Sequence, residues 1–159
     1  MTNGEYFLLL LAAITSGVVA GIFFAFSNFV MPALARLTNE QGLAAMQSIN
    51  VTVLNPGFFM VFIGSALLSL ASLIWQFTLA VNINYYAVAA SLSYLIGCFA
   101  VTALANVPRN KALALISSQT AVSTEDAQYW RTYLQSWTAW NHLRTVASAM
   151  AMLLFIFAL

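Results

Sequence analysis

Tyr6-Phe-Leu-Leu-Leu-Leu-Ala-Ala-Ile-Thr-Ser-Gly-Val-Val-Ala-Gly-Ile-Phe-Phe-Ala-Phe-Ser-Asn-Phe-Val-Met-Pro-Ala-Leu-Ala35 runs for 30 residues without a charge, between Glu5 and Arg36. As a helix it would be about 45 Å long, and about 20 residues suffice to cross the hydrocarbon core of a bilayer. It reads as a membrane span. Working outward, Glu40 and Arg109 enclose 68 uncharged residues. That is room for two more spans, placed at 56–77 and 85–107 with a break from Thr78 to Asn84. A fourth span follows at 141–159, and the first covers 6–35.

Composition agrees. The 159 residues are 62% hydrophobic and 6% charged, against about 25% charged in soluble domains. A soluble globular fold is thereby excluded. Five Lys/Arg and a net charge of +1 cannot follow a phosphate backbone, so no nucleic-acid partner is expected. The lone Cys98 excludes an intrachain disulfide and a thiolate cluster. Inside the third span it reads as a packed, inert thiol.

The expected fold class is all-α: a four-helix transmembrane bundle of up-down topology, one membrane domain over 1–159. The first helix has no basic n-region and is too long for a cleaved signal peptide. Arg36 follows span 1, and Arg109, Lys111 and Arg131 lie between spans 3 and 4, whereas the 2–3 connection has no Lys or Arg. The positive-inside rule then turns both termini outward, in an integral protein of the plasma (inner) membrane. Small residues recur every four positions at Ala13, Gly17, Gly21 and Ala25, at Ala89, Ser93 and Gly97, and at Ala147 and Ala151. Such faces allow close helix packing in lipid, within the bundle or between copies in a homo-oligomer.

Ser123-Thr-Glu-Asp126 resembles a capping box, and no breaker follows until Leu159. The fourth helix therefore extends outside the membrane, over 124–140. Trp130, Tyr133, Trp137 and Trp140 recur every three or four residues there. They read as an interfacial belt or as the wall of an aromatic pocket; the belt suits Trp130, and the pocket suits Trp137 and Trp140.

Polar residues converge on one mouth of the bundle, toward the cytoplasm on this reading. Ser27, Asn28, Asn50, Thr52, Asn55, Asn106, Asn110, Trp137, Asn141, His142, Arg144 and Thr145 all belong to helix ends on that side. Polar groups in lipid are costly and mark functional sites. The opposite mouth offers Gln76, Asn82, Asn84 and the N-terminal residues, and looks bare. Asn106 and Asn110 flank Pro108 and either cap a broken helix end or bond a substrate oxygen. His142, the only histidine, is either a general base or an interfacial residue bonded to a neighbour. Arg144 either snorkels or binds an anionic or phenolic group. One His and one Cys make a zinc or non-haem iron site improbable, and no dinucleotide loop is present.

Four stretches carry a family resemblance: Gly21 to Leu34, Asn50-Val-Thr-Val-Leu-Asn-Pro56, Asn106-Val-Pro-Arg-Asn110 and Trp137-Thr-Ala-Trp-Asn-His-Leu-Arg-Thr145. In this order they resemble the anthrone oxygenase-like family of four-helix integral membrane proteins. Fungal members are implicated in oxidising polyketide anthrones to anthraquinones with O2, without evident metal or flavin. The resemblance implies a membrane oxygenase that needs no cofactor and takes a lipophilic, phenolic or enolisable aromatic from the bilayer. It implies His142 as base and Arg144, Asn106 and Asn110 as oxyanion partners. Asn28, Asn55, Trp137, Trp140, Asn141 and Thr145 would line the ligand site. The alternatives are a non-catalytic subunit binding a quinone-like molecule, a haem protein with His142 as axial ligand, and a structural or transport component.

Overall fold

A computed structural model describes residues 1–117 and 122–159. All of its regular structure there is helical, and four helices are long and apolar enough to cross a membrane. We label them with one connecting helix in chain order: α1 Asn3–Leu34, α2 Asn39–Thr52, α3 Pro56–Thr78, α4 Tyr85–Ala114 and α5 Thr124–Ala158.

Helix starts follow capping chemistry. Thr2, Thr38, Asn55, Asn84 and Ser123 each accept a backbone N–H of the first turn, removing one of the orphan donors of a helix N-terminus. Pro56 follows Asn55 at the first helical position, where proline's missing N–H costs nothing. Helix α2 was not anticipated from the sequence. It opens with a reciprocal capping box between Thr38 and Gln41, and at 14 residues it is too short to cross a bilayer.

The spans pack in a ring, α1 on α5, α5 on α4, α4 on α3 and α3 on α1. Small residues set the closest approaches. A Cβ on Gly97 would stand 2.6 Å from Ala147 Cβ, and one on Gly17 would stand 2.6 Å from Met152 Sδ. Ser93 Oγ adds a hydrogen bond of 2.8 Å to the Ala147 carbonyl. These positions act within the bundle. A Cβ on Gly21 would meet nothing within 4 Å, so that glycine takes no part in the packing.

Helix α4 does not break at Pro108. It passes through π-helical segments at Ser93–Ala100 and Thr102–Asn106 and continues to Ala114, the wider turns accommodating the proline's missing donor. Helix α1 has a π turn at Phe26–Val30. The mouth that looked bare is not. Buried Gln76 donates to Glu5 Oε1 at 3.1 Å and accepts the Asn84 N–H at 2.9 Å, and Asn84 Nδ2 donates to the Ala158 carbonyl. That network holds the start of α1, the end of α3, the start of α4 and the end of α5 together. The other ends carry the candidate site.

Candidate functional site

Helix α5 presents Trp130, Tyr133, Trp137, Asn141, Arg144 and Ser148 at steps of three and four, the spacing of one helical face. All six are buried. The aromatic half is a stack, with Trp130 and Tyr133 centroids 5.7 Å apart and Tyr133 and Trp137 6.3 Å apart. Trp130 is 1% exposed, so the belt expected for it is replaced by core. The reason is α2: Gly42 brings its backbone onto the Trp130 indole, where a Cβ would come within 2.9 Å.

Arg144 is 4% exposed. Its Nη2 donates to Asn141 Oδ1 at 2.6 Å and its Nη1 to Thr102 Oγ1 at 3.3 Å, while Nε is buried with no partner among the described residues. The guanidinium lies 4.0 Å from the ring centroid of Phe23 and 5.0 Å from that of Trp137. Among the described residues no carboxylate pairs with it. Removing a cation from water costs several kcal/mol, and a desolvated cation–π contact returns about 2. An anion placed beside Nε would be strongly favoured.

Asn141 positions that cation. Its Nδ2 donates to the Phe23 carbonyl at 2.7 Å and to Ser27 Oγ at 2.6 Å, tying α5 to the π turn of α1, and its Oδ1 faces Arg144. Asn110 Oδ1 accepts from Trp137 Nε1 at 2.8 Å and from the Tyr133 hydroxyl at 2.9 Å. Asn106, 1% exposed, donates to the Trp137 carbonyl at 3.3 Å, and its Oδ1 has no partner. Thr102 and Asn106 bound one π segment of α4, which aims both at α5.

Arg144, Thr102, Trp137 and Asn110 line an inner cavity of about 90 Å³, whose wall also includes Phe23, Phe26 and Asn50, while Asn141 and Asn106 stand behind it, bonded to Arg144 and to the Trp137 carbonyl. Asn50 Nδ2 is a second buried donor there with no hydrogen-bond partner among the described residues. An outer chamber of about 440 Å³ lies between α2 and α4 and carries Gln47, Lys111 and Ala114. The two share Asn50, Val53, Leu54, Val107 and Asn110, so they adjoin.

Of the residues expected at the site, Arg144, Asn106, Asn110, Trp137 and Asn141 are brought together. The others are not. His142 is exposed and lines a different groove with Met31, Pro32 and Thr138, because one residue after Asn141 turns about 100° round the helix. Trp140 is 38% exposed and faces a third groove, with Arg109 5.8 Å from its ring. Asn28 is exposed, and Ser27 bonds Asn141 in its place. Asn55 is the exposed cap of α3. The Thr145 hydroxyl donates to the Asn141 carbonyl one turn back. Asn50, expected at this mouth, lines the cavity; Phe23 and Thr102 were missed as site members, and Thr102 stands one turn from Asn106, which is the signal that could have found it. Among the described residues no three of His, Cys, Asp and Glu gather to hold a metal.

The family model described as anthrone oxygenase matches residues 52–154. The chain belongs to the anthrone oxygenase family. The matched stretch contains Thr102, Asn106, Asn110, Trp137, Asn141 and Arg144, while Phe23, Ser27 and Asn50 lie before it. No curated protein and no solved structure matches the chain. For a member of the anthrone oxygenase family, four helices able to span a bilayer are consistent with a membrane oxygenase.

Proposed function

We propose that this protein is an oxygenase of lipophilic, enolisable aromatic ketones and phenols, which it binds as anions at Arg144. The single observation that carries the reading is the buried guanidinium, whose Nε has no partner and which no carboxylate neutralises among the described residues. An opposite charge at that position lowers the pKa of an enol or phenol. The deprotonated form is therefore favoured on binding, and the site needs no histidine to hold it. Phe23, Phe26 and Trp137 give the aromatic surface, and Asn50 Nδ2 gives a second donor to the oxyanion.

The chemistry balances without a further reductant. An enolate carbon transfers an electron pair in total to O2, forming a C–O bond and, after protonation, a hydroperoxide. Loss of the remaining hydrogen on that carbon as a proton cleaves the O–O bond and expels hydroxide, leaving C=O. The sum is CH2 plus O2 giving C=O plus H2O, with four electrons leaving carbon and four reaching oxygen. Arg144 holds the oxyanion through the first step, where its charge is most needed.

The test is O2 uptake by the purified protein in lipid nanodiscs with anthrone as the probe. Isotopically labelled O2 should leave one atom in the ketone and one in water. Arg144→Gln should reduce the rate to the uncatalysed background. Probe binding without O2 uptake above that background would replace the oxygenase with a ligand-binding membrane protein.

A further inference from the structure

The outer chamber carries a second uncompensated cation. Lys111 is exposed, lines the chamber together with Gln47, Asn50 and Asn110, and has no carboxylate partner among the described residues. Among the described residues, none that is acidic lines either cavity. The Gln47 amide is occupied, its Nε2 donating to the Leu113 and Ile116 carbonyls at 2.9 Å each, which fixes α2 against the end of α4 and holds the chamber walls. The two chambers therefore form one path with a cation at each end: Arg144 buried, Lys111 at the rim, apolar Val53, Leu54 and Val107 between.

We infer that the preferred ligand carries two acidic groups, an enol or phenol for Arg144 and a carboxylate at its far end for Lys111. This rests on Arg144 being the anion site. A ring system bridging the chambers would keep its apolar body against Val53, Leu54 and Val107. The inner volume of about 90 Å³ takes little more than one edge of such a molecule, so the rest must occupy the outer chamber. The carboxylate then meets Lys111 at the rim. A phosphate group of an anionic lipid has the same chemistry at that lysine, and the membrane composition separates the two.

The experiment compares naphthol with hydroxynaphthoate bearing its hydroxyl and carboxylate at opposite ends of the ring system. Affinities are measured by calorimetry on the full chain in phosphatidylcholine nanodiscs. Hydroxynaphthoate should bind about fivefold more tightly, the scale of an exposed ion pair. The ratio between the probes should fall to about one in Lys111→Gln and persist in Lys111→Arg. Equal binding of both probes to the wild type overturns the two-anion ligand and leaves the Arg144 site standing. Failure of both probes to bind overturns both. A preference that disappears when phosphatidylglycerol is included assigns Lys111 to lipid phosphate and overturns the carboxylate.

Discussion

Asn141 faces Arg144 with its carbonyl oxygen, 2.6 Å from Nη2, and directs its amide hydrogens to Phe23 and Ser27 of the neighbouring helix. The neutral amide thus orients the cation without cancelling it. Asn141→Asp would place a carboxylate where that oxygen stands and occupy the charge meant for a ligand. Wild-type protein should favour the coloured anion of para-nitrophenol, so the colour appears at lower pH on binding. In the Asp variant that shift should vanish. Stability should fall by about 1–3 kcal/mol: the Ser27 hydroxyl, an acceptor in the wild type, can turn to donate to the new carboxylate, but the Phe23 carbonyl loses its donor. A variant that retains the colour shift with unchanged affinity would remove Arg144 from the site.

His142→Ala separates the sequence expectation from the structure. The sequence left His142 open between a base and an interfacial residue, the resemblance implying the base, and its ring is exposed in a groove that shares no lining residue with the Arg144 cavity. Turnover with anthrone should fall by less than about twofold, as for exposed substitutions away from a site. Loss of a general base would instead lower kcat/KM by about 10²–10⁴, and that result would restore His142 to the reaction.

The spans were legible because charge is nearly absent from them, and the candidate site was legible because Arg144, the exception, lies at that depth beside asparagines. What escaped was angular. Asn141 and Arg144 are three apart and share the face of Trp130, Tyr133, Trp137 and Ser148, whereas His142 and Trp140 fall off it by one residue. Steps of three and four counted from Trp130 along the sequence of α5 reach Trp140 and His142 as readily as Asn141, so the spacing alone did not choose among them; burial does. Asn55-Pro56 was equally readable as the start of a helix, since an asparagine cap before proline is a local signature. The π turns were not readable. Because α1 and α4 are apolar on nearly every face, the shift of register at a π turn leaves no mark in their sequence, although it turns Ser27, Thr102 and Asn106 onto α5.

Glycine contacts give a stability pair. A Cβ on Gly97 would stand 2.6 Å from Ala147 Cβ, and one on Gly21 would meet open space. Gly97→Ala should destabilise by about 1–3 kcal/mol, the cost of overpacking, seen as a lower melting temperature in detergent. Gly21→Ala should be neutral or stabilising, since alanine is the better helix former. Equal effects at both positions would mean that α4 and α5 are not in the contact described.

Orientation follows from where the cations lie. Arg36 follows α1, Arg109 and Lys111 sit in the last turns of α4, and Arg131 is in the first turns of α5. The end held by Glu5, Gln76, Asn84 and the Ala158 carbonyl contains no Lys or Arg. Lys and Arg near span ends are retained in the cytoplasm during insertion, so the mouth of the Arg144 site should face inward. A reporter active only outside the cytoplasm should then work when fused after Leu159 and fail when inserted after Arg36. Placing both Arg109→Gln and Lys111→Gln in the chain should weaken that bias, giving a mixed reporter signal. Activity of a cytoplasm-only reporter after Leu159 in the unmodified chain would invert the bundle and put the outer chamber, with Lys111 at its rim, on the far side of the membrane.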